Sequence, residues 1–331
     1  MKLVARLLAV SALAVATTVP VVQAQEIKIS HQFRANVDGR DRAARLFVDE
    51  VTKRDPGIKF RIYPGQSLGI KPVAQLDALQ NGTLEMAVYP LSYGAGKIPE
   101  FSSVILPGTV PSLDFAMRLR GSPFHKKLQE VAHANGVHIL TWWWTPGGFA
   151  TKDRPIAGPD SVTGLNMRAA DATFEAMLKA AGASVVSMAS SEIYPALQSG
   201  VLNAILTSSE TFVSLRLYEQ TRHATAGGDY NLWMLLQPLL MSKQHWDKLT
   251  PEQQKIFEEA AAKSEEFFLG LQREATDRMI QAYEKAGAQV RQMTKAEFDQ
   301  WVTLASKTAW PEFAAKSPAA KELIELLQQA K

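Results

Sequence analysis

Gly164-Leu165-Asn166-Met167-Arg168 is a short, mostly apolar run that ends in a charge, and the residues downstream of it decide how it folds. A helical pattern runs from Ala172 to Ala181 and stops at Gly182, a strand pattern covers Ser184 to Ser187, and Ser191-Glu192-Ile193-Tyr194-Pro195-Ala196-Leu197-Gln198-Ser199-Gly200 is the next helical stretch. With Leu165 to Ala169 as a strand, the order is strand, helix, strand, helix, the pattern of an α/β sheet. Arg168 then stands at the C-terminal end of a strand, where such sheets bind ligands, and its planar fork of donors suits a carboxylate. An anion site is expected there.

The same alternation extends in both directions. Ile27 to Ser30 and Lys59 to Tyr63 have strand character. Arg40 to Thr52 carries Ala44, Phe47 and Val51 at helical spacing, and Lys71 to Asn81 carries Val73, Leu76 and Leu79 before Gly82. Leu84 to Tyr89, a helix from Pro123 to Asn135, and a strand from Val137 to Trp144 complete a first lobe. The turn-forming cluster Thr145-Pro146-Gly147-Gly148 is expected to mark the crossing into a second lobe, whose own strand near Val201 to Leu206 comes after Gly200. Period-two alternation places Trp142 and Trp144 on one side of the chain and Trp143 on the other. Thr250-Pro251-Glu252-Gln253 is a helix start, and helical composition continues past Gly270 to Ala286. A helix of roughly 36 residues would be about 54 Å long, enough to lie across both lobes, the alternative being a break near Gly270. Thr294 to Glu297 repeats the capping pattern, and Pro318 to Ala330 closes the chain as a helix.

Lys2 and Arg6 precede an apolar stretch from Leu7 to Val22, and Val22-Gln23-Ala24 offers small residues for cleavage, so residues 1–24 are expected to be an export signal, with a mature chain starting at Gln25. Removing it leaves about 307 of the 331 residues and lowers the formal charge from +3 to about +1. That near-neutral balance gives no basis for a nucleic-acid partner. The chain has no cysteine, which excludes disulfides, thiolate catalysis and cysteine-ligated metals together. An exported, cysteine-free chain fits a bacterial periplasm.

Enzymatic motifs are sparse. The six histidines, His31, His125, His133, His138, His223 and His245, form no HExxH or close helical pair, and neither GxGxxG nor a P-loop is present, so no metal and no cofactor is expected. Gly65-Gln66-Ser67-Leu68-Gly69 matches the nucleophile-elbow pattern between a strand and a helix, which would make Ser67 a hydrolase nucleophile if a histidine such as His223 or His245 reached it.

Taken together, the mature chain resembles the solute-binding proteins of tripartite ATP-independent periplasmic (TRAP) transporters, the DctP type. The likeness rests on Tyr63-Pro64-Gly65-Gln66-Ser67-Leu68-Gly69, Leu79-Gln80-Asn81-Gly82, Arg154-Pro155-Ile156, Gly164 to Arg168, and Glu192 through Val201, in that order. The resemblance implies an α/β, two-lobed periplasmic binding protein of type II-like architecture, with crossing strands and a long helix spanning both lobes. The expected division is residues 25–145 with 234–273 as the first lobe and 146–233 with 274–331 as the second. It further implies a receptor, not an enzyme, that closes on a small organic acid through Arg168 and delivers it to a small four-span and a large multispan membrane subunit, driven by an ion gradient. A monomer is expected. The alternatives are a binding protein serving an ATP-driven importer or receptor and, in a different class, the Ser67 hydrolase.

Several positions depart from the family's acidic-sugar binders. Where many of those carry a second arginine, this chain has Gly147-Gly148-Phe149; their asparagine falls near Thr207 and Ser208, and an aspartate position holds Asn203. The expected ligand is therefore a compact monocarboxylate with an apolar or aromatic tail. Its expected contacts are Arg168, Thr207 and Ser208, with Trp144 and Gly148 at the crossing and His31, Gln32, Tyr89, Tyr230 and Trp233 by family position. Glu192 and Tyr194 are expected to serve the helix start or packing as much as the ligand.

Overall fold

The computed structural model describes residues 26–330, so the expected leader, residues 1–24, lies outside the described residues. The strands are β1 (Glu26–Ser30), β2 (Lys59–Tyr63), β3 (Met86–Val88), β4 (Val137–Ile139), β5 (Trp144–Thr151), β6 (Asn166–Ala169), β7 (Ser184–Ser187), β8 (Ala204–Ser208), β9 (His223–Ala226), β10 (Met234–Leu236), β11 (Leu239–Ser242) and β12 (Gln289–Gln292). They form two sheets, one ordered β2-β1-β3-β11-β4 and the other β12-β9-β5-β8-β6-β7 with β10 paired to β5. Each sheet is the centre of one lobe. β1 pairs in parallel with β2 and β3, and β6 in parallel with β7 and β8, as helical crossovers require.

Two extended crossings between the lobes lie side by side. Leu140 donates to the Leu239 carbonyl, and Gln237 donates to the Trp143 carbonyl. The expected strand from Val137 to Trp144 is thus two elements: β4 ends at Ile139, and β5 starts at Trp144 in the other sheet. Thr145-Pro146-Gly147-Gly148 is strand, not turn. Glycine is what allows this, because a Cβ on Gly147 would lie 2.2 Å from the Thr207 carbonyl oxygen and one on Gly148 would lie 2.3 Å from that of Thr225. Close strand approach overrode the turn propensity.

Three apolar clusters account for the layers. Trp143 packs with Ile29, Phe47, Phe257 and Phe268 on one face of the first sheet, while Trp142 and Trp144 belong to a larger cluster that runs to the C-terminal helices. The alternation expected for the three indoles holds. Ile193, Phe212, Met279 and Tyr283 cover the second sheet. The helix Pro251–Arg273 therefore seals the first lobe through Phe257 and Phe268, and its continuation Ala275–Lys285 seals the second through Met279 and Tyr283. The interruption is at Glu274, not Gly270. There the Arg278 side chain donates to the Leu271 carbonyl at 2.9 Å, taking over an acceptor that the break releases. The helix Pro318–Gln329, assigned with the second lobe in the expected division, packs against the helix Pro123–Ala134 of the first.

Two glycine substitutions should move stability in opposite directions. Gly148→Ala forces a Cβ into backbone and is expected to lower the urea midpoint sharply, by about 3 kcal/mol in free energy. Gly270 lies in an exposed helical turn with nothing within 4 Å of a Cβ, so Gly270→Ala should stabilise by about 0.5–1 kcal/mol.

Candidate functional site

Arg168 is the third residue of β6, paired with Ile205 of β8, and only 1% of its surface is exposed. Its Nε and Nη2 donate to the Met188 carbonyl at 3.0 and 2.8 Å, and Nη1 donates to the Leu206 carbonyl at 2.9 Å. Nη2 also reaches the Tyr93 hydroxyl at 3.5 Å, and the guanidinium carbon lies 5.8 Å from the centre of a Trp233 ring. These partners are all neutral. Burial pushes the Arg168 pKa down, opposed by Tyr93 and, at longer range, by Asp171 and Glu192. Arginine nevertheless stays protonated, so the site holds a desolvated cation whose terminal N–H edge is the part left for a ligand.

Around that edge is a narrow space of about 10 Å³, about the size of one water molecule. Its wall combines Arg168, Thr207 and Ser208 from the second sheet with Arg40 and Tyr93 from the first lobe, Gln237 from the crossing and Trp233, which precedes β10. Trp233 sits here because its Cδ1 occupies the position that a Cβ on Gly147 would take. Thr207 and Ser208 end β8, which runs two residues beyond its expected end. The Ser208 hydroxyl also caps the helix Ser209–Ser214.

Arg40 is the residue that the sequence reading missed. It is as buried as Arg168, but Asp38 holds its Nε and Nη2 in a two-point pair at 2.7 and 2.6 Å, Gln237 accepts from Nη1 at 2.8 Å, and Phe33 lies 3.7 Å beneath the guanidinium. Burial alone would raise the Asp38 carboxyl; Arg40 outweighs that and lowers its pKa, helped by a hydrogen bond from Ser214. The cavity therefore has two guanidinium groups but only one uncompensated charge. Asp38 caps the helix Gly39–Arg54, and Arg40 is the second residue of that helix.

Other expected site residues lie elsewhere. Both ring nitrogens of His31 face protein groups: Nδ1 accepts from the Phe33 N–H at 3.2 Å, and Nε2 lies 3.1 Å from Asp41. Gln32 stands behind the wall, donating to the Tyr93 hydroxyl at 3.2 Å, and Tyr89 packs edge-on against Tyr93. Trp144 packs against Trp142 in the core, Gly148 is enclosed between β8 and β9, and Tyr230 packs against Phe298. Ser67 is exposed in a turn where Gly65, Gln66 and Gly69 all have positive φ, with no helix at its back, so the elbow geometry is not formed.

The lobes meet at the cavity and around it. Tyr93 accepts from the Ser190 N–H at 2.8 Å, Ser214 donates to Asp38 at 2.8 Å, and Ser102 donates to Asp171 at 2.7 Å. Glu210 accepts from the Gly39 N–H at 2.8 Å and from Arg278, the residue beside the helix break, at 2.9 Å. The chain is thus closed around the cavity, and closure excludes the water that would weaken an ion pair there.

This arrangement, two sheets with a buried cation between them, has close counterparts. The family model of bacterial extracellular solute-binding proteins, family 7, matches residues 30–317. The chain belongs to that family. A solute-binding protein of Albidiferax ferrireducens is 37% identical over 93% of this chain and 92% of its own length, and the C4-dicarboxylate-binding periplasmic protein DctP of Rhodobacter capsulatus is 27% identical over 94% and 91%. Among solved structures, a TRAP periplasmic solute-binding protein from Rhodoferax ferrireducens with bound malonate superposes with a TM-score of 0.90 at 37% identity, covering 92% of this chain and 98% of that one. One from a Sulfitobacter species, at 20% identity and a TM-score of 0.84, shares the fold. The chain is a TRAP-type solute receptor.

Two carboxylates on the first-lobe rim carry a pH signature. Burial raises the Asp41 carboxyl, but hydrogen bonds from His31, Arg45 and the Asn36 N–H outweigh it and hold it at about 2, against 3.8 when unfolded. A depressed folded pKa contributes stability that is complete above the unfolded value and is lost as pH falls towards the folded one. Between pH 7 and pH 3, Asp41→Asn should therefore lose about 1 kcal/mol less stability than the native chain, measured by urea unfolding. Asp38→Ala strands Arg40 without a counter-charge and is expected to cost about 3–5 kcal/mol at pH 7.

Proposed function

We propose that this receptor captures a compact organic acid carrying one carboxylate, in the periplasm, and passes it to the membrane subunits of a TRAP transporter. The observation that carries this reading is the buried Arg168 guanidinium, whose partners are all neutral. A carboxylate on its terminal edge would supply the missing charge through a two-point pair, the strongest geometry available to that side chain. The remainder of the acid would meet hydroxyl and amide groups of Thr207, Ser208, Thr211 and Gln237 and the Trp233 ring. This favours a 2-oxo or 2-hydroxy acid. The Arg40 charge is already balanced by Asp38, so a second carboxylate gains little there.

Closure supplies the mechanism. Ligand bridges groups from both lobes, binds the closed state more tightly than the open one, and so shifts the population towards closure. The groups walling the cavity bind and orient the acid without acting on it chemically. The export signal in residues 1–24 would deliver the receptor to the compartment where its relatives act, and the membrane subunits would recognise the closed form.

A specific observation favours a second ligand class: the Rhodoferax relative holds malonate, a short dicarboxylate. Thermal-shift and calorimetric titration with pyruvate, lactate, malonate and succinate separates the two. The 2-oxo and 2-hydroxy acids should bind more tightly, and at 100 times its dissociation constant the preferred acid should stabilise the fold by about 2.7 kcal/mol. Preference for malonate would instead make Arg40 a second anchor. Arg168→Ala should abolish the shift for every acid, and unchanged affinity in that variant would overturn the clamp.

A further inference from the structure

The cavity at Arg168 is not the only space between the lobes. An open cleft of about 470 Å³ lies against it, and Tyr93 and Ala170 line both. The methyl of Ala170 is too small to separate them. The Tyr93 side chain is the partition.

It is a well-anchored one. The hydroxyl oxygen faces the Ser190 N–H at 2.8 Å, the Gln32 Nε2 at 3.2 Å and the Arg168 Nη2 at 3.5 Å, and the ring packs edge-on against Tyr89 with centres 6.3 Å apart. All three polar partners donate. The phenolic proton is therefore not committed to any of them and can be given to an oxygen held on the adjacent guanidinium edge. Beyond the ring, the larger cleft has an apolar stretch of Val73, Ala95, Pro99, Met188, Ala309 and Phe313, with Asp171, Glu175, Glu312 and Lys316 also lining it. The apolar stretch suits a hydrocarbon tail.

We infer that Tyr93 is a specificity-determining residue: it donates to the bound carboxylate and ends the cavity, so that it sets the length of acid accepted and shuts off an apolar compartment able to hold a longer tail. This rests on the reading that Arg168 holds a carboxylate. The sequence is consistent with a length limit set by one side chain, since Tyr93 comes after β3 in a short helical turn, Leu91–Gly94, that projects it across the cleft.

The test uses the mature chain and calorimetric titration with pyruvate and lactate as short acids and octanoate and 4-phenylbutanoate as long ones. In Tyr93→Ala, the affinity for a long acid relative to a short one should rise about tenfold or more over the native chain, the gain expected for burying a few additional methylenes. Tyr93→Phe retains the ring and loses the donor, so it should bind every short acid more weakly while keeping the native preference for short over long. Tyr93→Leu, which shortens the partition but fills the core side, provides the same readout as Tyr93→Ala should the latter not fold. If folded Tyr93→Ala or Tyr93→Leu keeps the native ratio, the partition is overturned while the Arg168 clamp stands. If the native chain binds none of the acids, the clamp and the partition fail together. A crystal structure of the native chain with octanoate in the larger cavity and Tyr93 in place would also overturn it.

Discussion

A buried guanidinium whose partners are all neutral is costly, and the architecture around Arg168 is arranged to carry that cost. Its Nε–H and one N–H of each terminal nitrogen close onto the carbonyls of Met188 and Leu206, which lowers the penalty of burial without cancelling the charge. A carboxylate would have cancelled it. The difference between Arg168 and Arg40 makes the point: two arginines share one cavity wall, and the one paired with Asp38 has its charge balanced while the other has only neutral partners.

Holding such a charge dry requires two lobes that meet closely, and the chain's long-range features serve that end. The crossings at Leu140–Trp143 and at Gln237–Pro238 run beside one another, so Gln237 can accept from Arg40 and donate to Thr145 at 2.6 Å. The helix from Pro251 to Lys285 covers one sheet with its first part and the other with its second, and its break at Glu274 lies where Arg278 reaches both Leu271 and Glu210. Glu210 in turn accepts from Gly39, next to the Asp38–Arg40 pair. Helix break, lobe contact and cavity wall form one hydrogen-bonded series. A change in lobe angle is felt at each member of it.

Local pattern was enough to read most of the first lobe, because its elements are regular. Lys59 to Tyr63 alternates as a strand and forms one, and the capping residues Thr250 and Thr294 start the helices they promise. The reading failed where tertiary packing overrode local preference. Gly147 and Gly148 look like a turn in isolation, yet they are glycines because neighbouring strands leave no room for a Cβ. Arg168 stands out in the sequence because a charge at the end of an apolar strand is conspicuous. Arg40 does not, because a charged residue at the start of a helix looks like ordinary solvated surface until Phe33, Gln237 and Thr211 are brought over it. Tyr93 was passed over for a similar reason: its hydroxyl partners come from residues 32, 168 and 190, and no spacing in the chain connects them.

The sequence by itself determined the class of fold and marked Arg168 as a charge at a strand end, since the first depends on local periodicity and the second on the identity of a single side chain. It also determined that no thiolate chemistry was available. Which arginine keeps its charge, how large the cavity is, and where it ends were decided only by the tertiary structure. Those properties depend on distances between groups far apart in the chain, and such distances are set by how two sheets close on one another.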